Sequence, residues 1–411
     1  MNKSQLLFDL YISYLQARRH KRHTHSQMVF EEKLEDNLVQ LCDEVYNWNY
    51  QISPSIYFIQ QNPVKREVFA WNFRDRIVHH LIFNYISPYR EKQFIYDSYS
   101  CRKGKWTLMW IKRISKFMRS CSDCYTKTWR ILKMDIQWYF MAINRDILRN
   151  KNYKVLSNRK NITLNSDDEL FPSGRFLVSG EFPPFLIKIV HDIIYNDPTQ
   201  NWIFKWKQSD YNWLPKTKSL FFSEQNCGLP IWNLTSQLFS NIYLNDFDHY
   251  VKESLWIKYY GRYVDDFVLI HPSKEYLKSL IEPIGKYLRY TLHLTLHPNK
   301  IYLQPINHGV QFLWAIIKPY RIYRWKRSVT NFYNKLRETN YTPKRSSLDS
   351  YIWLMIHFKH YKLMSKILSK VKFDEMDDIS HYKNYIDFSP QNFYTSSQKQ
   401  QDNLTFRGGG I

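Results

Sequence analysis

Three carboxylates stand where chemistry could be done. Asp135 lies near the end of a β-favouring run from Trp129 to Ile136, and Asp265 and Asp266 follow Tyr263-Val264 at the bend between two short β-favouring runs within Tyr259–His271. If those strands lie side by side in one sheet the acids converge, and their mutual repulsion is costly unless divalent cations neutralise it. Hard oxygen ligands select Mg2+, with Mn2+ as the alternative. Two such ions, about 3.5 to 4 Å apart, would activate an attacking 3′-hydroxyl and stabilise departing pyrophosphate, which is nucleotidyl transfer. An Asp-Asp pair at a bend is by itself an ordinary solvated turn, so its neighbours decide its meaning.

The elements that must position these acids are legible in part. Phe30, Leu34, Leu38, Leu41 and Val45 fall at helical spacing among Glu31, Glu32, Glu35 and Asp36, which predicts a surface helix with one buried face. After Pro54 the pattern is extended. Ile77, Val78, Leu81, Ile82, Tyr85 and Ile86 then return to helical spacing, with Asp75 as the expected cap. Residues 151–180 are polar and aperiodic and read as a loop or insertion. A further amphipathic helix follows Asn233, with Leu234, Leu238, Ile242 and Phe247 on one face and Asn233 or Thr235 as its cap. Beyond Arg321 the chain is lysine-rich and helical around 328–338, 348–358 and 363–372, and from about Ser389 its Gln, Asn and Ser content predicts disorder.

Lys and Arg (59) outnumber Asp and Glu (37), giving a formal charge of +22 that should recruit a polyanion, with nucleic acid foremost. The cluster Arg18-Arg19-His20-Lys21-Arg22-His23 is read as a phosphate contact rather than a merely solvated turn. A 44% hydrophobic content can fill a core, which excludes disorder as the main state. No run reaches the ~18 apolar residues of a membrane span and no signal segment leads the chain, so the expectation is a cytoplasmic protein with no membrane partner. Of five cysteines only Cys121 and Cys124 have metal-like spacing, without the second pair a zinc site needs.

At these residues the sequence resembles reverse transcriptases. Tyr263-Val264-Asp265-Asp266 is similar to their Tyr-x-Asp-Asp box, and Asp135-Ile136-Gln137-x-Tyr139-Phe140 to their first catalytic aspartate and its aromatic pair. Gly228 to Gln237, continuing through Asn241-Ile242-Tyr243-Leu244, resembles their nucleotide-binding turn and helix. Further segments follow in order: Lys65-Arg66-Glu67, Arg74 to His80, Asp97 to Gly104, Leu296 to Lys300, and Gln311-Phe312-Leu313. Ser236-Gln237 closing the turn, and Ile231 where most relatives have Gln, resemble the enzymes of diversity-generating retroelements.

The resemblance implies an α+β right-hand polymerase: an N-terminal helix and fingers over 1–120, a palm over 121–320 with 151–215 partly an insertion, a helical thumb over 321–388, and a tail over 389–411. It makes Asp135, Asp265 and Asp266 the catalytic acids and the ligands of two Mg2+ ions. It places Arg66, and less directly Lys65, on the incoming triphosphate, Phe140 beneath the sugar, Lys300 as a proton donor to pyrophosphate, and Ile231 and Trp232 in the nucleotide turn. Arg74, Arg76, Ser236 and Gln237 fall to the nucleic-acid surface. The implied partners are an RNA template, a DNA primer and product, dNTPs and a small basic accessory protein. The implied activity is copying of a template-repeat RNA with errors at template adenines. The alternatives are an intron-encoded or phage-defence reverse transcriptase, or a catalytically silent RNA-binding scaffold.

Composition adds an anomaly, because the chain has 10 glycines where about 29 would be ordinary, and 14 tryptophans. Trp106, Trp138, Trp232 and Trp314 fall where the resembled family has glycine, and Trp48, Trp110, Trp213, Trp256 and Trp353 also stand at candidate glycine positions. Two explanations stand: aromatic platforms for bases, or UGA codons that mean glycine at the source and have been read as tryptophan.

Overall fold

The computed structural model describes residues 2–19, 24–60, 65–157, 182–204, 214–324, 326–342, 345–357 and 361–372. They divide into two compact units, one of Met1–Trp110 with Trp129–Gln304 and one of Ile111–Thr128 with Pro305–Ile411.

The larger unit opens with helices α1 (Lys3–Arg18), α2 (His25–Glu32) and α3 (Leu34–Tyr46), followed by strands β1 (Ser55–Gln60) and β2 (Arg66–Ala70). Next come α4 (Phe73–Gln93), β3 (Ser98–Tyr99), α5 (Thr107–Cys121), which straddles the division, and β4 (Arg130–Asp135). Helices α6 (Tyr139–Ala142), α7 (Arg145–Leu156) and α8 (Pro184–Tyr195), strand β5 (Trp202–Phe204) and helix α9 (Leu234–His249) follow. The unit closes with the hairpin β6 (Tyr259–Tyr263) and β7 (Asp266–His271), helices α10 (Lys274–Ser279) and α11 (Ile281–Leu292), and β8 (Tyr302–Pro305).

Two sheets result. The central one has the order β3-β6-β7-β4-β8, and the other has β2-β1-β5. Antiparallel pairs dominate, β6 on β7 and β7 on β4 among them, so the expected α+β class is what is observed. The strands at the centre of the first sheet are covered on both faces: Phe267, Val268, Leu269 and Ile270 are all buried. Against this sheet pack α4 and α9, whose buried residues include the six apolar positions expected for α4 and the Leu238, Ile242, Phe247 face expected for α9. α1 docks on α4 through Leu6, Leu10, Tyr14 and Ala17, and Tyr85 donates to the buried Asp9 carboxylate at 2.5 Å.

The smaller unit carries a three-stranded meander of β9 (Val310–Phe312), β10 (Ala315–Lys318) and β11 (Arg321–Arg324). Helices α12 (Lys326–Glu338), α13 (Arg345–His357) and α14 (Tyr361–Leu368) follow, with Phe332, Leu336, Leu348, Ile352, Met355 and Met364 in their own core.

Several local expectations are corrected. The helix expected from Phe30 is broken at Lys33, whose φ of −129° and ψ of 56° are not helical. Asp75 does not cap α4. Asn72 does, accepting from Arg74 N at 3.2 Å, while Asp75 is wholly buried and accepts from Tyr50 Oη at 2.7 Å and Ser53 N at 3.2 Å. Asn233 precedes α9 without capping it through its side chain, and instead donates Nδ2 to the Phe69 carbonyl at 2.9 Å. The aperiodic stretch begins inside α7, which runs to Leu156, and the rest of it lies outside the described residues, as does the tail expected from Ser389. Of the basic cluster, residues 20–23 also lie outside them, and Arg18 is engaged by Glu31 at 2.6 Å. Among the described residues no helix is long and apolar enough to cross a membrane.

Candidate active site

The β4–β7 ladder brings the acids together. Asp135 is the register partner of Asp266, and Ile136 N donates to Asp265 O at 3.2 Å, so the end of β4 lies against the turn that joins β6 to β7. Two more bonds hold β4 in that place: His297 N donates to Asp135 O at 2.8 Å, and Gln137 N to Thr295 O at 2.8 Å. The chain therefore gathers the three carboxylates from segments about 130 residues apart through backbone pairing.

Their electrostatics show what this juxtaposition costs. Burial, then the charges of Asp135 and Asp266, push the Asp265 carboxyl up to about 7. Asp266 rises to about 6, through burial and Asp135, against the opposing pull of Lys133. Lys300 Nζ donates to Asp135 Oδ2 at 2.9 Å, and that bond with the surrounding carboxylates raises its ammonium pKa although burial alone would lower it. Lys133 Nζ stands 3.4 Å from Asp266 Oδ1, an atom that is buried and receives no hydrogen bond of good geometry.

The donor set is of the chemistry a hard cation takes, being all oxygen and partly desolvated. Among the described residues no three Asp, Glu, His or Cys side chains are gathered closely enough to hold an ion as they stand, and two lysines supply the neutralising charge. Asp135, Asp265 and Asp266 are the residues that would hold such a cation, which would supply the charge neutralisation that Lys133 and Lys300 now give.

The turn itself is strained and supported. Val264 has a φ of +56°, a region that a β-branched residue rarely enters. Arg262, fully buried in β6, donates Nη1 to the Val264 carbonyl at 2.8 Å and grips Asp248 of α9 with Nε at 2.8 Å and Nη2 at 2.7 Å. Tyr260 Oη donates to the same Asp248 at 2.6 Å. This bidentate pair anchors the acid-bearing turn to a helix. The sequence reading missed Arg262, Asp248 and Lys133; the available signal was a charged residue at an inward position of a strand, three residues before Asp265.

Phe140 and Ile231 share a neighbourhood: both pack on the small apolar cluster of Tyr57, Ile59, Phe69, Met141 and Leu220. Gly228 N donates to Ile143 O at 2.9 Å and Leu229 N to Phe140 O at 2.8 Å, which ties the turn before α9 to α6. Gly228 is at φ +96°, and a Cβ there would stand 2.7 Å from Leu220 Cδ2, so only glycine fits. Glu67, also unpredicted, accepts from Ser219 Oγ and Leu220 N at 2.7 Å each and fastens β2 to the same region.

Trp232 follows Ile231 with its indole exposed. Arg66 is exposed at the start of β2, and Lys65 is half-buried just before it. Arg74 is held by Glu44 and by the Gln51 carbonyl, and Arg76 is half-buried with its pKa lowered by desolvation. Ser236 is buried within α9 and Gln237 is half-buried. His79, on α4, shares a 2.6 Å bond with Thr235, which braces the start of α9.

No protein-family model matches this chain, and no curated protein does. Solved structures do. The apo telomerase of Candida tropicalis truncated from its C-terminal domain aligns at 13% identity over 67% of this chain and 55% of its own, with a TM-score of 0.44. The telomerase of Candida albicans in complex with a TWJ fragment of telomeric RNA aligns at 11% identity over 88% of this chain and 64% of its own, with a TM-score of 0.46. The apo telomerase of Candida tropicalis gives 13% identity, 84% and 63% coverage and a TM-score of 0.46. The chain thus spans less than two thirds of the length of each of these telomerases.

Proposed function

We propose that this chain is an RNA-directed DNA polymerase with a right-hand architecture. The observation that carries the reading is the placement of Asp135 opposite Asp266, with Asp265 in the adjoining turn. Three carboxylates held against their own repulsion are a poor structural device and a good one for cations that must also meet a triphosphate.

In this reading Asp135, Asp265 and Asp266 hold two Mg2+ ions, which supply charge neutralisation for the attacking and leaving oxygens when bound. Lys300 would give a proton to pyrophosphate, and its bond to Asp135, which keeps it charged, supports that role. Phe140 and Ile231, both packed on the Tyr57 cluster, offer apolar surface to the sugar and the nascent base pair. Ile231 offers no hydrogen bond to either, which supports loose base selection. Arg66, exposed on β2, and Lys65 bind the triphosphate by charge.

The finer assignment is a cytoplasmic enzyme of a diversity-generating retroelement, copying a template-repeat RNA with a small basic accessory protein and erring at template adenines. Its support is the Ser236-Gln237 ending and Ile231. The test is primer extension on poly-rA with oligo-dT, Mg2+ and labelled dTTP, followed by sequencing of products from a mixed RNA template. Product with errors concentrated at adenines supports the whole reading. Product with evenly spread errors keeps the polymerase and removes the retroelement assignment, and template binding without extension by the Trp232→Gly form leaves an RNA-binding scaffold.

A further inference from the structure

Four tryptophans, at 48, 138, 232 and 256, have φ of +65°, +50°, +71° and +52°. Left-handed backbone brings Cβ against the following carbonyl, so it is ordinary for glycine, tolerated by Asn and Asp, and rare for a bulky residue. The same four are left in solvent, with relative exposures of 49%, 50%, 47% and 84%, although an indole gains most by burial. Trp71 and Trp110 behave in the ordinary way: each is buried and neither has positive φ.

At positions 48, 138 and 256 the hydrogen bonds that define the local structure are backbone ones. Trp48 is the residue after the cap of α3: its N–H bonds to Val45 O at 3.3 Å and the next N–H, of Asn49, to Glu44 O at 2.8 Å. That pair of bonds is the helix-ending motif whose left-handed position glycine ordinarily fills. Trp138 is the residue that caps α6 at its start, and its carbonyl accepts from Met141 N at 2.9 Å and Ala142 N at 3.0 Å. Trp256 lies between two helix-closing bonds, Leu255 N to Tyr250 O and Ile257 N to Val251 O. Trp232 sits between Ile231, on the apolar cluster, and Asn233, which is anchored to Phe69 O. A residue without a side chain would make all of these bonds unstrained.

We infer that positions 48, 138, 232 and 256 are glycine in the working protein, their codons being UGA decoded as glycine rather than tryptophan. Glycine at these four positions would bring the counts from 10 glycines and 14 tryptophans to 14 and 10, a step toward ordinary composition. The structure separates these four from Trp110, which lies inside α5 stacked on Tyr99 at 4.8 Å, and from Trp353, which lies within α13. Resting on the polymerase reading, a further consequence follows: bare backbone at 138, three residues after Asp135, and at 232, beside Ile231, opens the approach to the acids for a nucleotide and a primer end.

The test compares the chain carrying the four tryptophans with a form carrying Trp48→Gly, Trp138→Gly, Trp232→Gly and Trp256→Gly. Thermal unfolding of the fourfold form is expected to move up by several degrees, whereas Trp71→Gly is expected to move it down. A fall in both would overturn the inference, as would UGG codons at the four positions in the source gene. The fourfold form is also expected to extend a primer at least tenfold faster. If it is stabilised and still extends nothing, the glycine assignment stands and the polymerase reading fails.

Discussion

Asp265 carries the heaviest electrostatic load of the three acids, and the sign of its pH dependence follows. Its folded-state pKa of about 7 lies above the ordinary 3.8, so the folded protein holds a proton that the unfolded chain releases more readily. That contribution favours the fold at acid pH and is lost as pH rises from about 4 through about 7, with an upper bound near 4 kcal/mol. Thermal unfolding without divalent cations should therefore show Asp265→Asn gaining stability over the parent at pH 7.5 and not at pH 4. Mg2+ should raise the parent's midpoint more at pH 7.5 than at pH 5.5. A second residue-scale expectation concerns Arg262. Replacing it by Met leaves Asp248 charged and buried, which should cost about 3–5 kcal/mol in urea unfolding, and primer extension should slow because Val264 loses its support. The acids were legible through their neighbours, Tyr263-Val264 before the pair and Tyr139-Phe140 after Asp135, the pair alone being an ordinary turn. Arg262 was not, because a lone charge in a strand pattern reads as solvent-facing until Asp248, 14 residues earlier on a helix, is brought beside it.

Among the elements, those with long apolar periods were the readable ones. α4, α9 and the β6–β7 hairpin arose where the pattern placed them, because a 3.6-residue period over several turns, and two short β-favouring runs on either side of a bend, leave few alternatives. Their ends were not readable, since Asp75 and Asn233 are drawn away by tertiary partners, Tyr50 and Phe69, that no local pattern names. Three-residue strands such as β5 and β9 fall below any periodic signal, and they exist because β1 and β10 supply their hydrogen bonds. Helix α1 gives a paired test of what its docking on α4 is worth. Leu10→Ala, at a wholly buried position, should cost about 2–5 kcal/mol in urea unfolding, whereas Phe8→Ala, on the exposed face, should stay within about 0.5 kcal/mol.

At the scale of the whole molecule, the proposed polymerase would meet nucleic acid through charge. A formal charge of +22 would draw phosphates, and the affinity it supplied would come from displaced counterions. Binding of an RNA–DNA hybrid should fall by a factor of about 10³ or more between 50 and 200 mM salt, if about six or more phosphates are contacted. Asp265→Asn should leave that salt slope unchanged, since it removes chemistry and not grip. Filter binding across a salt series would separate the two.

The most direct measurement is Mn2+ binding to the protein alone, followed by electron paramagnetic resonance at pH 7.5. The parent is expected to take up Mn2+ and quench its free signal, while Asp135→Asn and Asp265→Asn each lose most of that binding. Equal uptake by the parent and both variants would contradict the assignment of these carboxylates to a cation site and, with it, the polymerase.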